Sequence, residues 1–215
     1  MARTIPAARD TILAAFGPAI LVGWWKRWVA KRRLAQRPTP PAVIASAITE
    51  AFRQGRKVLV LTERTEHIDA IRVALAGQIP EPFALHGRMS RKQRATLIAA
   101  LDALPPDAPR VLLATGKLVG EGFDHPPLDT LVLAMPVSWK GTLQQYAGRL
   151  HREHASKTDV RIIDFVDTGH PALVRMWDKR QRGYRAMGYR VKTPGELVNS
   201  DKLVLPQAAT ADFSR

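Results

Sequence analysis

Two rhythms of hydrophobic and polar positions alternate through the middle of this chain. Short apolar runs occur at Lys57–Thr62 (KVLVLT), Pro82–His86, Arg110–Ala114 (RVLLA), Asp129–Ala134 (DTLVLA) and Val160–Val166 (VRIIDFV). Runs that are apolar on successive positions suit strands covered on both faces, as in a parallel sheet. Between them the spacing lengthens toward a helical period. Ala42–Gln54 predicts a helix stopped by Gly55. Glu66–Ala76 predicts a second, with Ile68, Ile71 and Leu75 on one face and Gly77 as its stop, and Ser90 reads as the N-cap of a third running to Leu101. Pro105–Pro109 is a loop, and His170 to about Tyr189 is a basic helix carrying Arg175, Lys179, Arg180, Arg182 and Arg185. Strands that alternate with helices predict an α/β domain with a mainly parallel sheet flanked by helices.

One helical segment carries most of the candidate chemistry. At 100° per residue, Leu143, Tyr146, Ala147 and Leu150 make an apolar stripe, and Gln145, Gly148, Arg149 and Arg152 fall on the opposite side. A glycine inside a helix costs about 1 kcal/mol relative to alanine and usually marks close approach by something else. Two arginines one turn apart beside such a gap suit a phosphate, which guanidinium grips with paired, charge-assisted hydrogen bonds. A solvated face that happens to hold two arginines is the competing account. In open α/β sheets ligands gather at the carboxyl ends of the strands. Three loops leave such ends: those after His86 and after Ala114, and the one before the Gly148 helix.

Charge and composition narrow the setting. The 215 residues suffice for one domain with a real core, and none is cysteine, which removes disulfide and thiolate-metal architectures and points to a reducing, cytoplasmic interior. The net charge of +14 suggests a polyanionic partner. It is unevenly placed, with +7 in residues 1–37, +2 in residues 38–170 and +5 in residues 171–215. A nearly neutral domain (38–170) is therefore expected between a basic, Trp-rich leader (Trp24, Trp25, Trp28) and a basic helix (171–190). A loosely ordered tail (191–215) follows. The uncharged run Thr11–Trp25 is 15 residues long and broken by Pro18, too short for a membrane span of about 20. A membrane partner is not expected, and a peripheral anchor in residues 11–33 is the weakest reading.

Familiar nucleotide motifs fail on inspection. The loop Thr115–Asp124 lacks the first glycine of a Walker A loop, with Val111 in its place, and has Leu118 where Ser or Thr should follow the lysine. A dinucleotide fingerprint beginning at Gly120 has His125 in place of its third glycine. His151 and His154 are three apart with no third ligand near, so no metal site is expected.

A different order of elements fits. A strand ending at Thr115, then Glu121-Gly122-x-Asp124-x-Pro126, then a strand, then Gln145-x-x-Gly148-Arg149-x-x-Arg152, resembles motifs V and VI of the second RecA-like domain of superfamily 2 (DEAD/DEAH-type) helicases. Leu59–Glu63 stands where motif IV would be, and His86-Gly87-Arg88 matches the segment after the next strand. The resemblance covers residues 42–170. It implies a RecA-like, P-loop-NTPase-type fold in which ATP and Mg2+ sit between two such domains. Arg149 and Arg152 would reach the phosphates, Gln145 would sense them, and Gly148 would let the backbones close. Glu121, Gly122 and Asp124 would belong to the ATP-binding set, and Gly122 and Asp124 would couple nucleotide to nucleic acid. Thr115 would contact a nucleic-acid phosphate. His86, Arg88 and Arg91, with Lys92 and Arg94, form the only basic cluster of the neutral domain and would bind backbone phosphate. DNA is expected ahead of RNA. The chain has neither a Walker A loop nor an Asp-Glu dipeptide, so an N-terminal RecA-like domain, upstream or on another chain, would have to complete the site. The isolated chain is expected to show no significant ATPase activity. A non-catalytic nucleic-acid-binding or regulatory module derived from a helicase is the alternative.

Overall fold

The computed structural model describes residues 10–17, 40–116, 123–135, 143–155, 157–167, 171–192 and 208–213. Its centre is five parallel strands in the order β3-β4-β2-β5-β6, where β2 is Lys57–Thr62, β3 Phe83–Leu85, β4 Arg110–Thr115, β5 Thr130–Leu133 and β6 Arg161–Asp167. The helices are α1 (Pro41–Arg53), α2 (Thr65–Leu75), α3 (Arg91–Asp102), α4 (Gln144–Leu150) and α5 (Pro171–Ala186).

Strand residues divide alternately between two apolar layers. Leu59, Leu61, Leu112, Leu131, Leu133 and Ile162 face one cluster, which Leu101 of α3, Tyr146 and Leu150 of α4, and Trp177 and Tyr184 of α5 complete. Val58, Val60, Val111, Leu113, Val132 and Ile163 face the other, closed by Ile44 and Ile48 of α1 and by Ile68 and Ile71 of α2. The period of two thus sends neighbouring residues to opposite helix layers, which is why these strands read as unbroken apolar runs.

Local signals end the elements where expected. Ser90 Oγ accepts the Gln93 amide at 3.2 Å while Gln93 Oε1 accepts the Ser90 amide at 2.8 Å, a complete capping box at the start of α3. Gly55 and Gly77 stop α1 and α2 at φ +77° and +74°, a left-handed geometry that side chains resist.

The flanks differ from expectation. Asp10–Gly17 forms β1, parallel to β6, so part of the uncharged N-terminal run extends the sheet. Arg190–Lys192 (β7) pairs with it in parallel, and Ala208–Phe213 (β8) in antiparallel fashion. The tail therefore contains a strand rather than being uniformly loose. Backbone pairing with an open sheet edge satisfies amide groups that sequence polarity alone does not reveal. Trp24, Trp25 and Trp28 lie outside the described residues. Among the described residues no helix is long and apolar enough to cross a membrane.

Candidate nucleotide and nucleic-acid site

Helix α4 places its two faces as the spacing predicts as far as Leu150, where it ends, so Arg152 lies just past the C-cap His151 rather than on the helix. Leu143, Tyr146, Ala147 and Leu150 are all at most 2% exposed, while Gln145, Gly148 and Arg152 face outward and Arg149 is half-buried. Both arginines turn toward one stretch of chain. Arg149 Nη1 donates to the carbonyl of Phe123, and Arg152 Nη1 pairs with the Asp124 carboxylate. The two elements read from the sequence as separate motifs are thus joined side chain to backbone and side chain to side chain. Asp124 Oδ1 is buried with no hydrogen-bond partner among the described residues. A carboxylate oxygen in that state is costly unless a donor arrives.

A Cβ added at Gly148 would meet nothing within 4 Å among the described residues, so its gap faces outward. The close approach inside the domain is at Gly116, where a Cβ would lie 2.8 Å from Met135 Cε and 2.9 Å from Tyr146 Oη. Tyr146 donates its hydroxyl to the Gly116 carbonyl, tying the end of β4 to α4. Burial pushes the pKa of this phenol up, so it stays a donor.

The expected gathering at the carboxyl edge of the sheet holds for part of the set. Thr115 is half-buried at the end of β4, in register with Thr62, and His86 is half-buried just past β3. Because α4 connects parallel strands it runs back across the sheet, and its arginines sit toward the amino edge instead. Lys157 records this. Its ammonium donates to the carbonyls of Leu150 (2.8 Å) and Arg152 (2.9 Å), and its nearest charges include Asp129 and Lys57 at the amino ends of β5 and β2. Burial lowers its pKa to about 8, against the pull of Asp129 and Asp124. Helix-terminal carbonyls lack intrahelical partners, so this lysine caps α4 and fixes the backbone that carries Arg152.

Three further contacts hold the same region. His151 Nε2 and the Tyr189 hydroxyl are hydrogen-bonded, with ring centroids 5.3 Å apart. His125, directly after Asp124, lies between Arg110 Nη1 (3.1 Å to Nε2) and Asp102 Oδ1 (3.1 Å to Nδ1). Arg110 can only donate, so Nε2 accepts and the proton sits on Nδ1. Burial, then the Arg110 charge, lowers the His125 pKa and keeps it neutral. Arg56 and Asp129 pair at 3.1 Å below the same edge.

The basic cluster beyond β3 is dispersed. Arg88 is paired with Glu66 at 2.8 Å, and both are about two-thirds exposed. Such a pair contributes about 0–1 kcal/mol and is readily exchanged. Arg91 is exposed on the first turn of α3, and His86 Nδ1 is buried without a hydrogen-bond partner among the described residues. Glu121 and Gly122 lie outside the described residues. Sequence reasoning missed Gly116, His125, Lys157 and Tyr189. Only Gly116 carried a usable signal, as a glycine directly after an apolar strand.

The family called helicase conserved C-terminal domain matches residues 42–154, more than half of the chain. The protein belongs to that family. The match starts at the second residue of α1 and ends past Arg152, enclosing every candidate residue. Probable helicase D10 of Escherichia phage T5 is 26% identical over 151 residues, 69% of this chain but 33% of that protein. Uncharacterized protein 108L of Invertebrate iridescent virus 3 is 37% identical over 110 residues, half of this chain and 91% of that one. The structure of T4 UvsW superposes with TM-score 0.56 at 17% identity, covering 75% of this chain and 35% of that one. The E. coli DEAD-box protein SrmB, solved bound to regulator of ribonuclease activity A, superposes with TM-score 0.50 at 18% identity, covering 65% and 78%. The fold is that of a RecA-like helicase C-terminal domain. This helicase-family domain spans about a third of the length of D10 and of UvsW.

Proposed function

We propose that this chain is the C-terminal motor domain of an ATP-dependent nucleic-acid helicase, and that α4 forms one wall of an ATP site whose other wall is a second RecA-like domain. The observation that carries this reading is the joint placement of Arg149 and Arg152. Arg149 on α4 and Arg152 just past its end are both tied to Phe123–Asp124, beside Gly148, which faces open space among the described residues. The residues fit a polyphosphate. The Arg152 guanidinium is more than half exposed and held only by an exchangeable pair with Asp124. They do not fit a resident magnesium ion, because among the described residues no three His, Asp or Glu side chains stand together. Magnesium would come with the nucleotide and be held by the other domain.

In this arrangement Arg149 and Arg152 stabilise the charge that develops on phosphate oxygens, an effect worth about 10³–10⁵ in rate. Gln145, exposed one turn before Arg149, faces the same space and orients the phosphate. Asp124 exchanges its bond to Arg152 as nucleotide arrives and so reports occupancy to the Thr115 end of β4, where nucleic acid binds together with His86, Arg88 and Arg91.

The test joins this chain to a Walker A-bearing RecA-like domain, fused upstream or supplied in trans, and measures nucleic-acid-stimulated ATP hydrolysis. Hydrolysis is expected from the pair and not from this chain alone, and Arg149→Ala or Arg152→Ala should lower kcat at least about 10³-fold. Turnover by the isolated chain, or undiminished turnover by the Arg149→Ala pair, overturns the reading.

A further inference from the structure

Helix α5 lies beyond the family match, and nothing in the ATP-site reading uses it. Its buried side is unusually well fastened. Leu173, Trp177, Arg180, Gly183 and Tyr184 are buried, and Arg180 meets Asp164 of β6 through two hydrogen bonds of 2.6 and 3.1 Å. The Tyr184 hydroxyl donates to the same carboxylate at 2.9 Å, and the Arg180 guanidinium lies 5.7 Å from the Trp177 ring centroid. One arginine of this basic helix is therefore structural.

The helix's other four cations are not. Arg175, Lys179, Arg182 and Arg185 are all exposed. At 100° per residue they fall within an arc of about 120° centred opposite the buried face. Asp178 is the one acidic residue among them. Arg182 reaches only the Asp178 backbone carbonyl at 3.4 Å, and Arg185 the Gln181 side chain at 3.0 Å, both within the helix. Ten residues at about 1.5 Å each spread these cations over roughly 15 Å. One strand of a duplex presents a phosphate about every 3.4 Å along its axis, so the row spans about four phosphates.

We propose that the exposed face of α5 is a second nucleic-acid contact that binds the phosphodiester backbone without reading sequence. Charge complementarity selects the occupant, and the composition of the face excludes the other polyanion. A helix lying on a lipid surface buries Trp, Phe or Leu on its inner side. Here the large apolar side chains of α5 are turned into the core, and the one large exposed hydrophobic among the described residues is Val73, on α2. The anchor at Asp164 also means the row is ordered before it binds, which lowers the entropy lost on association. Helix α5 packs on the same apolar layer as α4.

The test is binding of the full chain to a fluorescent duplex and to a single strand of unrelated sequences, without nucleotide, between 50 and 200 mM salt. The comparison is the variant Arg175→Gln/Lys179→Gln/Arg182→Gln/Arg185→Gln. Its substitutions break no bond between elements, so its melting temperature should match the parent's. Losing three to four phosphate contacts should flatten the duplex salt dependence by about 3 in log–log slope, so that over this range the parent loses roughly 40- to 150-fold more affinity than the variant. A slope changed by less than about 1 overturns the proposal. So does loss of binding to phosphatidylserine vesicles with nucleic-acid binding unchanged. A double variant at Arg149 and Arg152 should leave this nucleotide-free slope within about 1 of the parent's, so failure here and failure of the ATP-site reading are separable.

Discussion

Lys157 offers a measurement in which the sign is set by geometry. Its ammonium is buried with a pKa of about 8, while in the unfolded chain it regains the ordinary lysine value near 10.4. The folded value is depressed, so below pH 8 folding must keep a charge in a poorly solvated place. Between pH 8 and about 10.4 the unfolded chain binds the extra proton, and stability from this group rises with pH. Over the accessible window of pH 7 to 9 the gain is about 1 kcal/mol, or a rise in Tm of about 2–4 °C for a chain of this size. The hydrogen bonds to Leu150 and Arg152 survive, because a neutral amine still has two protons to donate. Lys157→Met keeps most of the stem volume but removes charge and donors. It should abolish this component of the pH response, while its own Tm at pH 7 changes little, the two orphaned carbonyls offsetting the relieved charge. Thermal melts of both proteins at half-unit pH steps provide the difference curve, in which the titrations of other groups cancel. Parallel melting curves for the two proteins from pH 7 to 9 would refute the reasoning.

Three other outcomes follow from the same contacts. Arg180→Leu strands the fully buried Asp164 carboxylate and should cost about 3–5 kcal/mol, read as a Tm lower by roughly 6–20 °C; Arg180→Leu with Asp164→Leu should recover a substantial part. Gly116→Ala forces a methyl against Met135 and Tyr146 and should cost about 1–3 kcal/mol, whereas Gly148→Ala, with open space around it, should be neutral or stabilise by up to about 1 kcal/mol in urea melts. For His125 the folded pKa lies below the ordinary one, so stability is lost as pH falls below about 6.5, where the unfolded imidazole takes the proton first. His125→Gln should remove that loss from the acid side of the stability profile, and an unchanged acid limb counts against it.

How much of this was readable in advance depends on the range of the interaction. The five parallel strands, the capping box at Ser90 and the apolar stripe of α4 are local patterns, and each appears within a residue or two of its expected place. The same stripe logic set Gly148 apart, yet it could not tell an outward gap from an inward contact, because both remove a Cβ from the helix surface. Gly116 became visible only when β4 and α4 were brought together. Lys157 is seven residues past the end of the arginine helix in a charged, unpatterned stretch. Its burial comes from the chain folding back over the end of α4. The strands at the sheet edge were missed for a related reason. Backbone pairing can recruit Asp10–Gly17 and Ala208–Phe213 from opposite ends of the chain without any pattern shared between them.

The contacts around the arginines are of two kinds, and the difference bears on how such a wall could work. Those that fix the backbone are buried or aromatic: Lys157 on the carbonyls of Leu150 and Arg152, Tyr146 on Gly116, and Tyr189 on His151. The contact that fixes the Arg152 charge is a half-exposed pair with Asp124, worth at most about 1 kcal/mol. A phosphate arriving from a partner domain therefore has to displace a weak pair only, while the scaffold that aims the guanidinium is already in place. Donors held in position before the charge develops need no reorganisation at the moment of reaction. Displacing the pair releases Asp124, whose Oδ1 already has no hydrogen-bond partner among the described residues. On the reading proposed here, that exchange converts occupancy of the arginines into a change at the end of β4. An Asp124→Asn variant of the completed enzyme should accordingly keep nucleotide affinity within a few-fold while losing stimulation by nucleic acid. Equal loss of stimulated and unstimulated turnover would assign Asp124 to holding Arg152 alone.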